Sequence, residues 1–190
     1  MTERSRSLVG LIAVGVLQTL VLAYMVGDRV RLLSRGREIV LPIVPVDPRD
    51  LFRGEYIRLG YNISRLDAGL LEGPAPQKTP FFVTLERRPD ETWLPVRISA
   101  SRPSASGPDH IVLAARTMGS RRAAFETWSG TVWVRYGIES YFVPEGEGRE
   151  LEKLAQDKKM AALVAVDDGG NAAIKGLIIE GKRVYTEPLF

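Results

Sequence analysis

Twenty consecutive residues near the start of the chain, 8–27 (LVGLIAVGVLQTLVLAYMVG), carry no charge, and only Gln18 and Thr19 are markedly polar. As an α-helix this run spans about 30 Å, the thickness of the hydrocarbon layer of a bilayer. A cleavable signal peptide ordinarily has a shorter apolar core, about 7–15 residues, followed by a small-x-small cleavage site. Here the exit reads Ala23-Tyr24-Met25, with bulky residues at two of the three positions. The run therefore reads as an uncleaved anchor. Residues 1–27 form an N-terminal tail and transmembrane anchor, 28–38 a juxtamembrane linker, and 39–190 a β-rich domain. The first expected partner is the lipid bilayer, contacted through residues 8–27.

Flanking charge bears on orientation. Arg4 and Arg6 precede the run, while Arg29, Arg31, Arg35 and Arg37 follow it. Positive charges alone would place the domain on the cytoplasmic side. A signal-anchor with a short leading tail and a β-rich domain behind it commonly translocates its C-terminal part. The expectation adopted is a single-pass membrane protein with its domain outside the cytoplasm, in the periplasm.

Beyond the anchor the pattern is that of strands. Residues 56–64 alternate cleanly, with Ile57, Leu59, Tyr61 and Ile63 on one side and Arg58, Gly60 and Asn62 on the other. Residues 80–88 and 92–100 read as a hairpin across Pro89-Asp90-Glu91. Further strands are expected within 110–116 and 129–143, and on both sides of the turns at 168–171 and 180–182. Residues 39–46 are apolar, but Pro42 and Pro45 argue for an edge segment or linker. Residues 146–156 (GEGRELEKLAQ), with Leu151 and Leu154 on one face, predict a short helix. The fold class expected is mainly β (α+β): a transmembrane helix, then a mostly antiparallel sheet or small barrel with one covering helix.

Composition excludes several chemistries. The chain has no cysteine, so disulfides, thiolate metal sites and cysteine nucleophiles are out. His110 is the one histidine, which leaves the usual zinc and transition-metal ligand sets unfilled. Neither a glycine-rich phosphate loop nor a strained nucleophile turn is visible. No cofactor or metal is expected. A net charge of +3, spread as scattered pairs of cations, does not make the stripe that nucleic-acid binding needs.

Two places gather charge among aromatics. The first holds Asp47, Arg49, Asp50, Arg53 and Glu55 ahead of Tyr56 and Tyr61; the second runs from Tyr136 through Glu139 to Glu145. Such groups serve as turn caps and strand packing, or as a binding surface. If the two lie side by side, Glu55 and Glu139 would form a carboxylate pair.

Gly54, Tyr56, Leu59 and Tyr61, with Glu55 where the name-giving motif has Asp, resemble the GDYXXLXY-domain family of bacterial membrane-anchored proteins. The lead-in Asp47-Pro48-Arg49-Asp50 with Arg53, and the segment 136–146 (YGIESYFVPEG), fit the same resemblance. It covers roughly residue 40 to the C-terminus and implies no assigned reaction. It does imply the company of multi-pass membrane proteins. The expected function is accordingly a membrane-anchored, non-catalytic accessory or binding module acting with a multi-pass membrane protein. Its binding residues are expected among Asp47, Arg49, Asp50, Arg53, Glu55, Tyr56, Tyr61, Tyr136 and Glu139. One alternative is a hydrolase similar to type I signal peptidases, suggested by the strand entry Arg53-Gly54-Glu55-Tyr56-Ile57. It lacks the Ser-Met-x-Pro nucleophile segment after the anchor and any lysine before Lys78. A second alternative is an anion or small-ligand sensor using Arg49, Arg53 and Arg58.

Overall fold

The computed structural model describes residues 3–44, 56–73, 80–104, 107–118, 130–142, 154, 157 and 159–186. It opens with one continuous helix, α1 (Glu3–Arg35), of 33 residues, about 50 Å long. From residue 10 to 29 its side chains are exposed all round, and Gly10–Arg35 is long and apolar enough to cross a membrane. An apolar helix uncovered on every face suits hydrocarbon better than water.

The helix does not stop where the apolar run stops. Residues 28–35, expected as a linker, continue it for two further turns. The three arginines there are good helix formers, and the segment carries an apolar pair with somewhere to go. Leu32 and Leu33 are buried in a small cluster with Ala165 and Ala173. Burying two leucines contributes roughly 1.5–3 kcal/mol each. The alanines keep that face of the sheet low enough for the helix to approach.

Gly36 ends the helix, its N–H donating to the Leu32 carbonyl at 2.9 Å. A Cβ at this position would meet the Leu32 oxygen, the Ala165 Cβ at 3.1 Å and the Val166 nitrogen at 3.1 Å. Only glycine fits between helix end and sheet. The next residue already belongs to the first strand, so the helix enters the sheet without slack.

Among the described residues twelve strands follow: β1 (Arg37–Val44), β2 (Tyr56–Arg58), β3 (Gly60–Tyr61), β4 (Arg65–Asp67), β5 (Phe81–Arg87) and β6 (Trp93–Ser99), then β7 (His110–Thr117), β8 (Thr131–Arg135), β9 (Ser140–Phe142), β10 (Met160–Val166), β11 (Ala172–Ile179) and β12 (Lys182–Thr186). One five-stranded sheet has the order β12-β11-β10-β1-β3, another β4-β8-β7-β5-β6, and β2-β9 form a separate pair. All these pairings are antiparallel. Among the described residues the sheets are open, so the small-barrel form of the expectation is not adopted. The covering helix expected at 146–156 lies outside the described residues except Leu154, which packs against the core.

Two expectations about strands are corrected. β1 is not an edge or linker, because it sits between β10 and β3. It pairs with β10 through Pro42 and with β3 only from Ile43 onward. The proline's missing N–H thus falls before the second ladder begins. The alternating segment 56–64 is not one strand either. It breaks at Leu59 into β2 and β3 and ends in a 3-10 turn, Asn62–Ser64. Its alternation still holds: Ile57, Leu59, Tyr61 and Ile63 are all buried, and Arg58 and Asn62 are exposed. A single face of side chains has been kept while the backbone changes partner from β9 to β1.

One buried cluster joins all the sheets, with Leu41, Ile43, Leu66, Phe81, Leu85 and Leu113 at its centre. Polar ties lock the layers at the helix end. The Arg37 Nη1 donates to the His110 carbonyl at 2.7 Å, and its guanidinium lies 5.5 Å from the Trp93 ring centroid. The turn between β10 and β11 presses onto β7, where the Ala114 N–H donates to the Gly170 carbonyl at 2.8 Å. At Gly170 φ is +84°, and a Cβ would lie 3.1 Å from both the Ala114 nitrogen and the Val112 oxygen.

Candidate functional site

The described parts of the two charged, aromatic segments, 56–61 and 136–142, lie side by side. β2 pairs with β9, setting Ile57 opposite Tyr141, and the Leu59 N–H donates to the Glu139 carbonyl at 2.9 Å. Around this seam the tyrosines form a reciprocal brace. The buried Tyr61 hydroxyl donates to the Ile138 carbonyl at 2.9 Å, and the buried Tyr136 hydroxyl donates to the Ile63 carbonyl at 2.6 Å. Each tyrosine reaches across to the carbonyl two residues beyond the other. The local cause is the sharp backbone on both sides: the 3-10 turn at 62–64 and the turn at 137–139 turn carbonyls inward that no strand can satisfy. A tyrosine fills both needs at once, with a ring for the core and a hydroxyl for the stranded carbonyl.

Glu139 works on the same turn. Its Oε1 accepts from the Tyr136 N–H at 2.6 Å and its Oε2 from the Gly137 N–H at 3.0 Å. Both side-chain oxygens are occupied by backbone donors, so the group caps its own turn.

Burial, and after it the nearby Glu139 charge, push the Tyr61 and Tyr136 hydroxyls well above their ordinary pKa of 10.0. The consequence for stability has a definite sign. Above pH 10 the unfolded chain loses these protons while the native state keeps them, so the native state binds more protons and stability falls as pH rises. Each such tyrosine contributes a slope of about 1.4 kcal/mol per pH unit. Urea unfolding followed at successive pH values should show alkaline destabilisation setting in near pH 10, and Tyr61→Phe should reduce its slope.

Of the residues expected to bind, Tyr61, Tyr136 and Glu139 are brought together, and all three hold backbone. The backbone of Tyr56 lies in β2 opposite Phe142. Asp47, Arg49, Asp50, Arg53 and Glu55 lie outside the described residues, and with them the Glu55–Glu139 pairing. Arg58, proposed from sequence as an anion contact, is engaged in an interaction of its own. Among the described residues no group of three or more His, Asp or Glu side chains is gathered as for a metal ion.

Three residues escaped sequence reasoning. Gly36 was signalled by its place after Arg35, as a helix-ending glycine, but the apolar run ended earlier and drew the boundary with it. Arg116 and Arg135 face each other across β7 and β8 and line a cleft of about 380 Å³ beside Tyr136, Gly137 and Glu139. Alternation in β8 marks Arg135 as outward-facing, but only the register reveals its neighbour.

A family model described as GDYXXLXY protein matches residues 18–177, most of the chain. No curated protein and no solved structure matches.

Proposed function

The chain belongs to the GDYXXLXY protein family, and from that premise we propose that it is a single-pass, membrane-anchored, non-catalytic accessory module whose partner is a multi-pass membrane protein. The observation that carries this reading is the unbroken passage of α1 from an exposed apolar span into a segment whose Leu32 and Leu33 are buried with Ala165 and Ala173 of the sheet. A tether that merely kept a domain near the bilayer would need no such docking. A helix fixed in the sheet holds the domain in one pose against the membrane, which suits recognition of another protein held in the same plane. The span also leaves an apolar helix surface open to neighbouring helices within the bilayer.

Further support comes from the motif residues, because Tyr61, Tyr136 and Glu139 spend their polar atoms on main chain. We place the domain on the extracytoplasmic side, so protease added to intact spheroplasts should digest it while sparing the anchor. The partner is tested by mild-detergent capture of the tagged full chain from its own membranes, with mass spectrometry of what is retained. A stoichiometric multi-pass protein is expected. Recovery of the bait alone, under conditions that preserve known membrane complexes, would overturn the accessory reading.

A further inference from the structure

The cleft beside the brace has a charge arrangement that the fold does not need. Arg116 on β7 and Arg135 on β8 are directly opposed in the antiparallel register. Like charges placed so on neighbouring strands repel and destabilise the pair. Neither guanidinium has an ion-pair or hydrogen-bond partner among the described residues, and neither is among those with an interaction of another kind. The carboxylate that could neutralise them, Glu139, lines the same cleft but is turned to the N–H groups of Tyr136 and Gly137. The remaining walls include Pro80, Ala114 and Ala172, which are apolar, and Asn171. The Asn171 amide donates to the Asp167 carboxylate at 2.9 Å, so the asparagine too is occupied within its own turn.

We propose that this cleft binds a small molecule carrying a phosphate or carboxylate group, held between the guanidinium groups of Arg116 and Arg135. Two planar forks set opposite each other suit an oxyanion, which each can meet with paired N–H donors. An anion between them converts their repulsion into attraction, which gives the opposed pair a purpose. The volume, about 380 Å³, lies within the range of small-molecule sites, roughly 300–1,000 Å³. The apolar walls would take the rest of the ligand. The brace then acquires a second role: the turn that Tyr136 and Glu139 hold rigid is one wall of the binding cleft. This inference is independent of the membrane partner proposed above.

The same oxyanion chemistry could come from a soluble metabolite or a lipid headgroup, and the test separates them. The full chain is placed in phosphatidylcholine nanodiscs, and its melting temperature is followed by tryptophan fluorescence as pyrophosphate or citrate is added at constant ionic strength. A saturable rise is expected, about 5–10 °C at a hundredfold excess over Kd. It should vanish in the double variant Arg116→Gln/Arg135→Gln and weaken in Arg116→Lys, which keeps the charge but loses the fork. Arg102→Gln, at an exposed arginine outside the cleft, should retain it.

Without anion, the double variant should be at least as stable as the parent, since a repulsion has been removed. In a second arm, phosphatidylglycerol replaces phosphatidylcholine. A rise produced by that lipid alone, and dependent on both arginines, would assign the site to a headgroup; a rise produced by the soluble anions would assign it to a free ligand. The proposal is overturned if neither arm gives a saturable rise, if the rise survives in the double variant, or if the double variant without anion is clearly less stable than the parent.

Discussion

Tyr61→Ala is expected to destabilise the β domain by about 3–5 kcal/mol, the range for removing a large buried aromatic side chain. Two losses combine in it. The ring leaves a void in the core cluster that it shares with Ile43, Ile63 and Tyr136, and the Ile138 carbonyl loses its donor. Tyr61→Phe isolates the second loss and should cost about 1–3 kcal/mol, the penalty for a buried polar group left unpaired. The same range applies to Tyr136→Phe, which strands the Ile63 carbonyl.

Because both bonds brace one seam, the two phenylalanine variants should not add. A coupling of roughly 0.5–3 kcal/mol is expected from the double-mutant cycle, measured by chemical unfolding. If the hydroxyls served only a ligand or partner, each phenylalanine variant would leave stability unchanged. Stability is therefore the readout that separates a brace from a recognition surface.

Gly36→Val should loosen the helix–sheet joint. The new side chain would collide with the Leu32 carbonyl and crowd Ala165 and Val166. These neighbours are backbone atoms and a short, buried side chain, so they have little room to yield. An overpacking cost of roughly 1–3 kcal/mol is expected, concentrated where Leu32 and Leu33 dock. Amide hydrogen exchange should register it as lost protection around residues 32–37 and at Val166, with the β5–β7 ladder little affected. Gly27→Val, where an added Cβ meets nothing within 4 Å, is the matched control and should be tolerated.

How much of this was legible in the sequence varies with the physics involved. Side-chain alternation is a local property, so the buried face of residues 56–64 and the hairpins across the turns at 89–91, 168–171 and 180–182 could be read directly. Partner choice is not local. Nothing in Ile57 to Ile63 tells where the backbone will leave β9 for β1, and the break at Leu59 could not be seen in the pattern. β1 was demoted because prolines normally sit at edges. The register alone shows that Pro42 precedes the start of the second ladder.

The helix was cut short for a different reason. Hydropathy detects what a bilayer needs and is blind to the two leucines that continue the helix onto a sheet. At the candidate site, sequence singled out Tyr61, Tyr136 and Glu139 but could not show that they are neighbours. Their hydrogen bonds then changed their meaning, from groups awaiting a ligand to groups that hold the chain. Arg116 and Arg135 stand 19 positions apart in the sequence, and only strand pairing makes them neighbours.

The proposed function rests on fixed attachment of the β domain to its anchor, and this is open to direct measurement. The chain has no cysteine, so spin labels can be placed cleanly at Tyr24→Cys in the span and Lys182→Cys on β12, both exposed positions. Pulsed dipolar spectroscopy of the doubly labelled full chain in nanodiscs should give one narrow distance distribution, and Gly36→Val should broaden it. A broad distribution in the parent chain, as wide as in the Gly36 variant, would mean that the helix is a loose tether, and would contradict the account.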